Sequence, residues 1–138
     1  MKEITAVIFD MDGVLIDSQP LHYMADVESM KKYGVYKEQK FYEKYAGTTT
    51  PDRMRALNEL FKLNADVDEM VAVREQMILD IMKKEETSPV RGIPELLKSI
   101  KSKGMTTAVA SSSGYELIDM VLEKFGIAQY FDCITSGI

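Results

Sequence analysis

Residues 4–13 read Ile4-Thr5-Ala6-Val7-Ile8-Phe9-Asp10-Met11-Asp12-Gly13. A short apolar run, rich in β-branched residues, passes without a break into two carboxylates and a glycine. A continuous apolar run of this length predicts a strand over residues 4–9 that is buried on both faces, as in a parallel sheet with helices above and below. Asp10-Met11-Asp12-Gly13 marks its carboxyl end.

The same pattern recurs downstream. Met105 to Ala110 predicts a second strand, ending at Ser111-Ser112-Ser113-Gly114, and Phe131 to Thr135 predicts a third. Pro94 to Lys103 reads as an amphipathic helix with Leu96, Leu97 and Ile100 inward and Gly104 as its stop. Tyr115 to Phe125 reads as a helix closed by Gly126. Between the first strand and this region lies a block without strand signals. Leu21, Met24, Val27 and Met30 set a helical period that Gly34 ends. A second helix is expected over Lys37 to Tyr45. A third is expected through Met54, Leu57, Leu60 and Phe61, with Thr50 as N-cap and Pro51 at its first position. A fourth runs from Val67 to Lys84. Strand, helical insertion, helix, strand, helix, strand is the signature of an α/β fold with a parallel, doubly wound, Rossmann-like sheet. The expected division is a core over residues 1–17 and 89–138 and a helical insertion over 18–88.

Composition narrows the partners. The 138 residues are 46% hydrophobic and 28% charged, with a formal net charge of −5. That profile is globular, and the acidic balance argues against nucleic acid or an anionic membrane as partner. The one cysteine, Cys133, excludes an internal disulfide, fits a cytoplasmic setting, and is expected as a small buried residue in a late strand. The N-terminal apolar run is too short for a signal segment or a membrane span. The ten methionines are expected to fill helical cores.

Ligands of doubly wound sheets bind beyond the carboxyl ends of the strands, and both polar clusters fall there. Two neighbouring carboxylates repel, and a divalent cation relieves the repulsion; oxygen-only ligation selects Mg²⁺. Asp10, ionised, can attack phosphorus to give an aspartyl phosphate. Asp12, protonated, can give its proton to the leaving oxygen and later take one from water. Gly13 permits a tight turn and a close backbone approach to the phosphoryl group. Ser111, with Ser112 beside it, adds hydroxyls from the next strand. Each cluster also has a plainer reading: Asp-x-Asp-Gly as a polar turn or calcium loop, and the serines as a helix N-cap.

The run Val7-Ile8-Phe9-Asp10-Met11-Asp12-Gly13-Val14-Leu15-Ile16-Asp17-Ser18 resembles the first signature of the haloacid dehalogenase superfamily, and more narrowly its β-phosphoglucomutase-like phosphatases. Gly92-Ile93-Pro94-Glu95-Leu96-Leu97, followed by Val109-Ala110-Ser111-Ser112-Ser113, is similar to that group's approach to its second signature. The helical insertion sits where the group has its cap domain. The resemblance implies that Asp10 is nucleophile and magnesium ligand. It implies that Asp12 is general acid/base and binds the metal through its backbone carbonyl, and that Ser111 binds the phosphoryl group. It assigns His22 to the leaving-group side or the domain hinge, and Gly47 and Thr48 to a cap loop that faces the site. The implied substrate is a small phosphomonoester, a sugar phosphate foremost.

The group has two further signatures beyond the third strand, a lysine and a pair of acidic residues, and this chain ends at Ile138. The expectation is therefore an incomplete core and an incomplete, weakly active or inactive site. In the family's order the first strand is central, so residues 4–9 are expected as a bare apolar edge. Such an edge favours self-association or pairing with a missing C-terminal segment. β-Phosphoglucomutases usually carry an arginine near the position of Thr50 and a lysine near that of Gly114. Neither is found, which favours a phosphatase over a phosphosugar mutase. A non-catalytic phosphoacceptor or binding fragment is the other class. Receiver-type phosphoacceptors lack the large helical insertion seen here.

Overall fold

In the computed structural model, which describes residues 3–137, the opening apolar run forms strand β1 over Ala6–Phe9. Then follow helices α1 (Gln19–Lys31), α2 (Gln39–Tyr42), α3 (Thr50–Phe61), α4 (Val67–Lys84) and α5 (Ile93–Ser102). Strand β2 (Thr106–Ser111), helix α6 (Tyr115–Lys124) and strand β3 (Cys133–Ser136) complete the order, with 3-10 turns over Glu43–Tyr45 and Ala128–Tyr130. The chain divides into two compact units. One holds the described residues within Met1–Ser18 and Glu86–Ile138, and the other holds Gln19–Glu85. Among the described residues no helix is long and apolar enough to cross a membrane.

The first unit is built on a three-stranded parallel sheet in the order β1-β2-β3. Phe9 pairs with Val109, and Ser111 with Ser136. All three strands therefore end on the same side. Thr107, Val109 and Ser111 alternate along β2 toward a buried face. Phe9 packs edge-on to Phe131 with ring centroids 5.9 Å apart. Burial of residues 4–9 on both faces is not what the structure shows. β1 is an edge strand, and Ile4 and Ile8 are 68% and 71% exposed. Among the described residues β1 has a strand on one side only, matching the bare edge expected for residues 4–9, and the face that carries Ile8 is open to solvent. Cys133, expected in the core, is exposed on β3, the other edge of the sheet. On α5 the inward set is Ile93, Leu97 and Ile100; Leu96 is 45% exposed. A helix turns 100° per residue, so adjacent Leu96 and Leu97 cannot share its narrow buried stripe.

The second unit is all helical. Its core joins Met30, Val35, Tyr42, Met54, Leu57 and Met70, so methionines do fill it. Tyr42 is wholly enclosed, and burial, followed by the nearby Asp26 charge, pushes its phenol up to about 12. α3 begins one residue earlier than its sequence suggests. Thr49, not Thr50, is the N-cap and accepts from the Asp52 N–H. Thr50 Oγ1 instead donates to Glu75 Oε1 at 2.8 Å. The buried face of α1 is also rotated from the expected stripe. Leu21, Ala25, Asp26, Ser29 and Met30 are buried, and Met24 and Val27 only partly.

Asp132 ties the start of β2 to the approach of β3. Its Oδ2 accepts from Lys101 Nζ at 2.6 Å and from the Thr107 N–H at 2.8 Å. These bonds hold its carboxyl below the ordinary value of 3.8, the Lys101 bond most strongly. A depressed folded value stabilises the fold above the ordinary carboxylate value and is lost as pH falls through the folded one. Thermal midpoints followed by circular dichroism should thus drop more steeply below about pH 4 in the wild type than in Asp132→Asn. Parallel profiles would remove Asp132 from the acid response.

Candidate active site

The turn after β1 explains how two aspartates come to face outward. Met11, Leu15 and Ile16 are wholly or almost wholly buried. The Met11 carbonyl accepts from the N–H groups of Val14, Leu15 and Ile16 at 3.2, 2.8 and 3.2 Å. Gly13 closes the turn at φ 77°, a left-handed conformation that suits glycine, and its N–H donates to the Ile16 carbonyl at 2.7 Å. With Met11 anchored inward, Asp10 is left exposed and Asp12 half-buried.

The two carboxylates have different surroundings. Asp10 Oδ1 accepts from the Met11 N–H at 2.7 Å. Asp12 is gripped by hydroxyls. Ser18 Oγ donates to its Oδ1 at 2.5 Å, and Ser113 and Ser111 donate to its Oδ2 at 3.0 and 3.3 Å. Ser18 and Ser111 are 1% and 7% exposed. Ser111 Oγ also accepts from the Ser113 N–H at 3.1 Å. The carboxyl end of β3 closes the arrangement. Ser136 Oγ donates to the Ser113 carbonyl at 2.7 Å, and the Gly137 N–H donates to the Ser111 carbonyl at 2.8 Å. Residues 12 and 111 to 113, nearly a hundred positions apart, thus form one cluster at the strand ends.

The plainer reading of the serines fails. The N-cap of α6 is Gly114, which has no side chain to cap with. Ser111 is the last residue of β2, and the Ser113 hydroxyl is spent on Asp12. Ser112 is exposed at the turn. Sequence reasoning passed over Ser18 and Ser113 as partners of Asp12. Ser18 closes the first motif, and a small hydroxyl six residues after an acid, across a Gly turn, was the available signal.

The other residues taken from the resemblance belong to the helical unit. There an ionic cluster, unforeseen from sequence, organises them. Asp26, Arg53 and Arg74 are 0%, 6% and 2% exposed. Arg53 Nη1 meets Asp26 Oδ2 at 2.6 Å, and Arg74 Nε meets Asp26 Oδ1 at 3.0 Å. Arg53 reaches on to the Tyr45 and Thr48 carbonyls at 3.2 and 3.3 Å and to Thr48 Oγ1 at 3.4 Å. Arg74 Nη2 lies 3.0 Å from His22 Nδ1. Gly47 takes a left-handed φ of 78° in the exposed loop that Arg53 ties down.

Among the described residues no three His, Cys, Asp or Glu side chains gather as a metal cage. The donors at the strand ends are oxygens alone. A hard cation that keeps water and substrate phosphate in its shell needs only one or two such protein donors.

Residues 7–138 match the haloacid dehalogenase-like hydrolases, and the chain belongs to that family. It is 27% identical over 135 residues to the phosphorylated carbohydrates phosphatase of Thermotoga maritima, covering 96% of this chain and 61% of that protein. It is 28% identical over 151 residues to hexitol phosphatase B of Escherichia coli, covering 99% of this chain and 62% of that protein. The fold superposes on the crystal structure of β-phosphoglucomutase from Clostridium difficile with a TM-score of 0.76 and 26% identity, over 97% of this chain and 62% of the other. The chain thus spans about three fifths of the length of these relatives.

Removing the Ser18 hydroxyl deletes a short hydrogen bond to a part-buried carboxylate. Ser18→Ala should destabilise the unit by about 1.5–3 kcal/mol, read as a lower urea midpoint at unchanged slope. An unaltered midpoint would mean that Ser18 does not hold Asp12.

Proposed function

We propose that this chain carries the nucleophile of a phosphohydrolase that cleaves a small phosphomonoester, a sugar or sugar-alcohol phosphate foremost, through an aspartyl phosphate. The observation that carries the reading is the asymmetry of the two aspartates. Asp10 is exposed at a strand end. Asp12 is fixed by three hydroxyls two residues away. Family membership supports it, as do relatives named for phosphorylated carbohydrates and hexitol phosphates.

Each residue has a role in this reading. The Asp10 carboxylate attacks phosphorus in line with the ester oxygen. One P–O bond forms as the P–O bond to the leaving group breaks. Asp12 gives its proton to the departing oxygen and then takes one from the water that hydrolyses the acyl phosphate. The hydroxyls of Ser18, Ser111 and Ser113 suit both of its states, since a hydroxyl can donate to a carboxylate and accept from a carboxylic acid. Ser111 turns its hydroxyl to a phosphoryl oxygen when substrate is present. Mg²⁺ would be held by the Asp10 carboxylate and the Asp12 backbone carbonyl, the Asp12 side chain being engaged by serines, and when bound it supplies positive charge toward the phosphoryl oxygens. The helical unit acts as a cap, with His22, Gly47 and Thr48 on the substrate side. The mutase reading is weaker. Arg53, three residues past Thr50, is buried and committed to Asp26, so it has no free charge for a second phosphate.

Phosphate release should be followed with sugar phosphates, hexitol phosphates and an aryl phosphate, with Mg²⁺ and with chelator. The expected result is Mg²⁺-dependent turnover that Asp10→Asn lowers by at least ~10³-fold. Turnover retained in Asp10→Asn would refute the nucleophile assignment.

The open edge of β1 supports a second element of the proposal, association through that strand. Ile8 on β1 and Ile4 just before it are exposed, and among the described residues β1 has a strand on one side only. Light scattering of this 138-residue chain should give a mass above the monomer's. A monodisperse monomer counts against self-pairing of the edge.

A further inference from the structure

The three hydroxyls on Asp12 do not stand in the same relation to it. Ser18 Oγ donates to Oδ1 at 2.5 Å. Ser113 and Ser111 donate to Oδ2 at 3.0 and 3.3 Å. When Ser111 turns to a phosphoryl oxygen, the longer of the two Oδ2 bonds is the one given up. Ser18 then keeps Oδ1 and Ser113 keeps Oδ2. A hydroxyl on each oxygen fixes the plane of a carboxyl group, whereas a hydroxyl on one oxygen lets it turn.

Ser113 is itself held. It is half-buried in the turn between β2 and α6. Its N–H donates to Ser111 Oγ at 3.1 Å, and its carbonyl accepts from Ser136 Oγ at 2.7 Å. The Gly137 N–H donates to the Ser111 carbonyl at 2.8 Å. The end of β3 thus pins the turn at two carbonyls, and all of these groups belong to the first unit. Capping does not explain the Ser113 hydroxyl, since the N-cap of α6 is Gly114.

We propose that Ser113 is a positioning residue: fastened from β3, it aims the Asp12 carboxyl at the leaving oxygen. The role rests on the phosphohydrolase reading, and the contact does not. In the step served, Asp10 forms a P–O bond as the P–O bond to the leaving group breaks, and the proton of the Asp12 carboxylic acid passes to the departing oxygen. Ser113 acts only through Asp12, so its worth depends on how much that oxygen needs a proton. The alkoxide of a hexitol needs one; p-nitrophenolate, a far weaker base, departs without it.

Phosphate release should be compared, as kcat/KM, between a hexitol phosphate and p-nitrophenyl phosphate. This ratio reads the free energy from free enzyme and substrate to the transition state. Ser113→Ala should lose about tenfold on the hexitol phosphate, the worth of one hydrogen bond to a charged group, and clearly less on the aryl ester. Ser113→Thr keeps the hydroxyl and should recover most of the loss. An equal loss on both esters, or no recovery with threonine, overturns the positioning role while leaving the phosphohydrolase reading intact. No release from either ester by the wild type overturns that reading for this chain, and the catalytic role of Ser113 with it. The contact is judged separately by urea unfolding. Ser113→Ala should lower the midpoint less in an Asp12→Ala background than in the wild type, because its partner is already gone. Additive losses overturn the contact and the proposal.

Discussion

The parallel pairing of β1 with β2 is the contact on which the strand-end cluster depends. Phe9 lies opposite Val109, so the turn that follows β1 emerges beside the end of β2. From there Asp12 meets Ser111 and Ser113. A slip of one residue would turn every side chain of β1 to the other face of the sheet and carry Phe9 away from Phe131. Register is therefore held by apolar packing, and the polar cluster inherits its geometry from it.

Burial then separates two carboxylates that sequence treats alike. Asp10 follows the strand directly and stays in solvent. Asp12 is half-buried, and partial desolvation calls for hydrogen-bond partners. The neighbouring strand end and the end of the turn supply serine hydroxyls. Hydroxyls satisfy a carboxylate without fixing its protonation state, which suits the proton-transfer role proposed for Asp12.

The helical unit solves a different problem with the opposite means. Its core is apolar and methionine-rich, yet Asp26 lies wholly buried on α1. Two long-range ion pairs, to Arg53 on α3 and Arg74 on α4, compensate it. A buried network of this kind adds little net stability over an apolar core, and its value lies in geometry. Here it sets the relation of three helices and of the loop before α3.

The sequence by itself determined the order of elements, because periodicity and Gly punctuation are local properties. It also determined the two polar clusters at strand ends and, through its motifs, the family. Helix α4 fell where its pattern indicated, since Asp66 caps one end and the apolar period is long. What only tertiary structure decided depends on partners distant in the chain. The exposure of Cys133 follows from strand order, which no single strand encodes. The choice of Ser18 and Ser113 as holders of Asp12 follows from how the turn and the second strand end converge. The Asp26 cluster joins residues 27 and 48 positions apart. No local pattern marks it, because a charged residue within a helical period reads as a solvated face until another helix brings a countercharge to cover it.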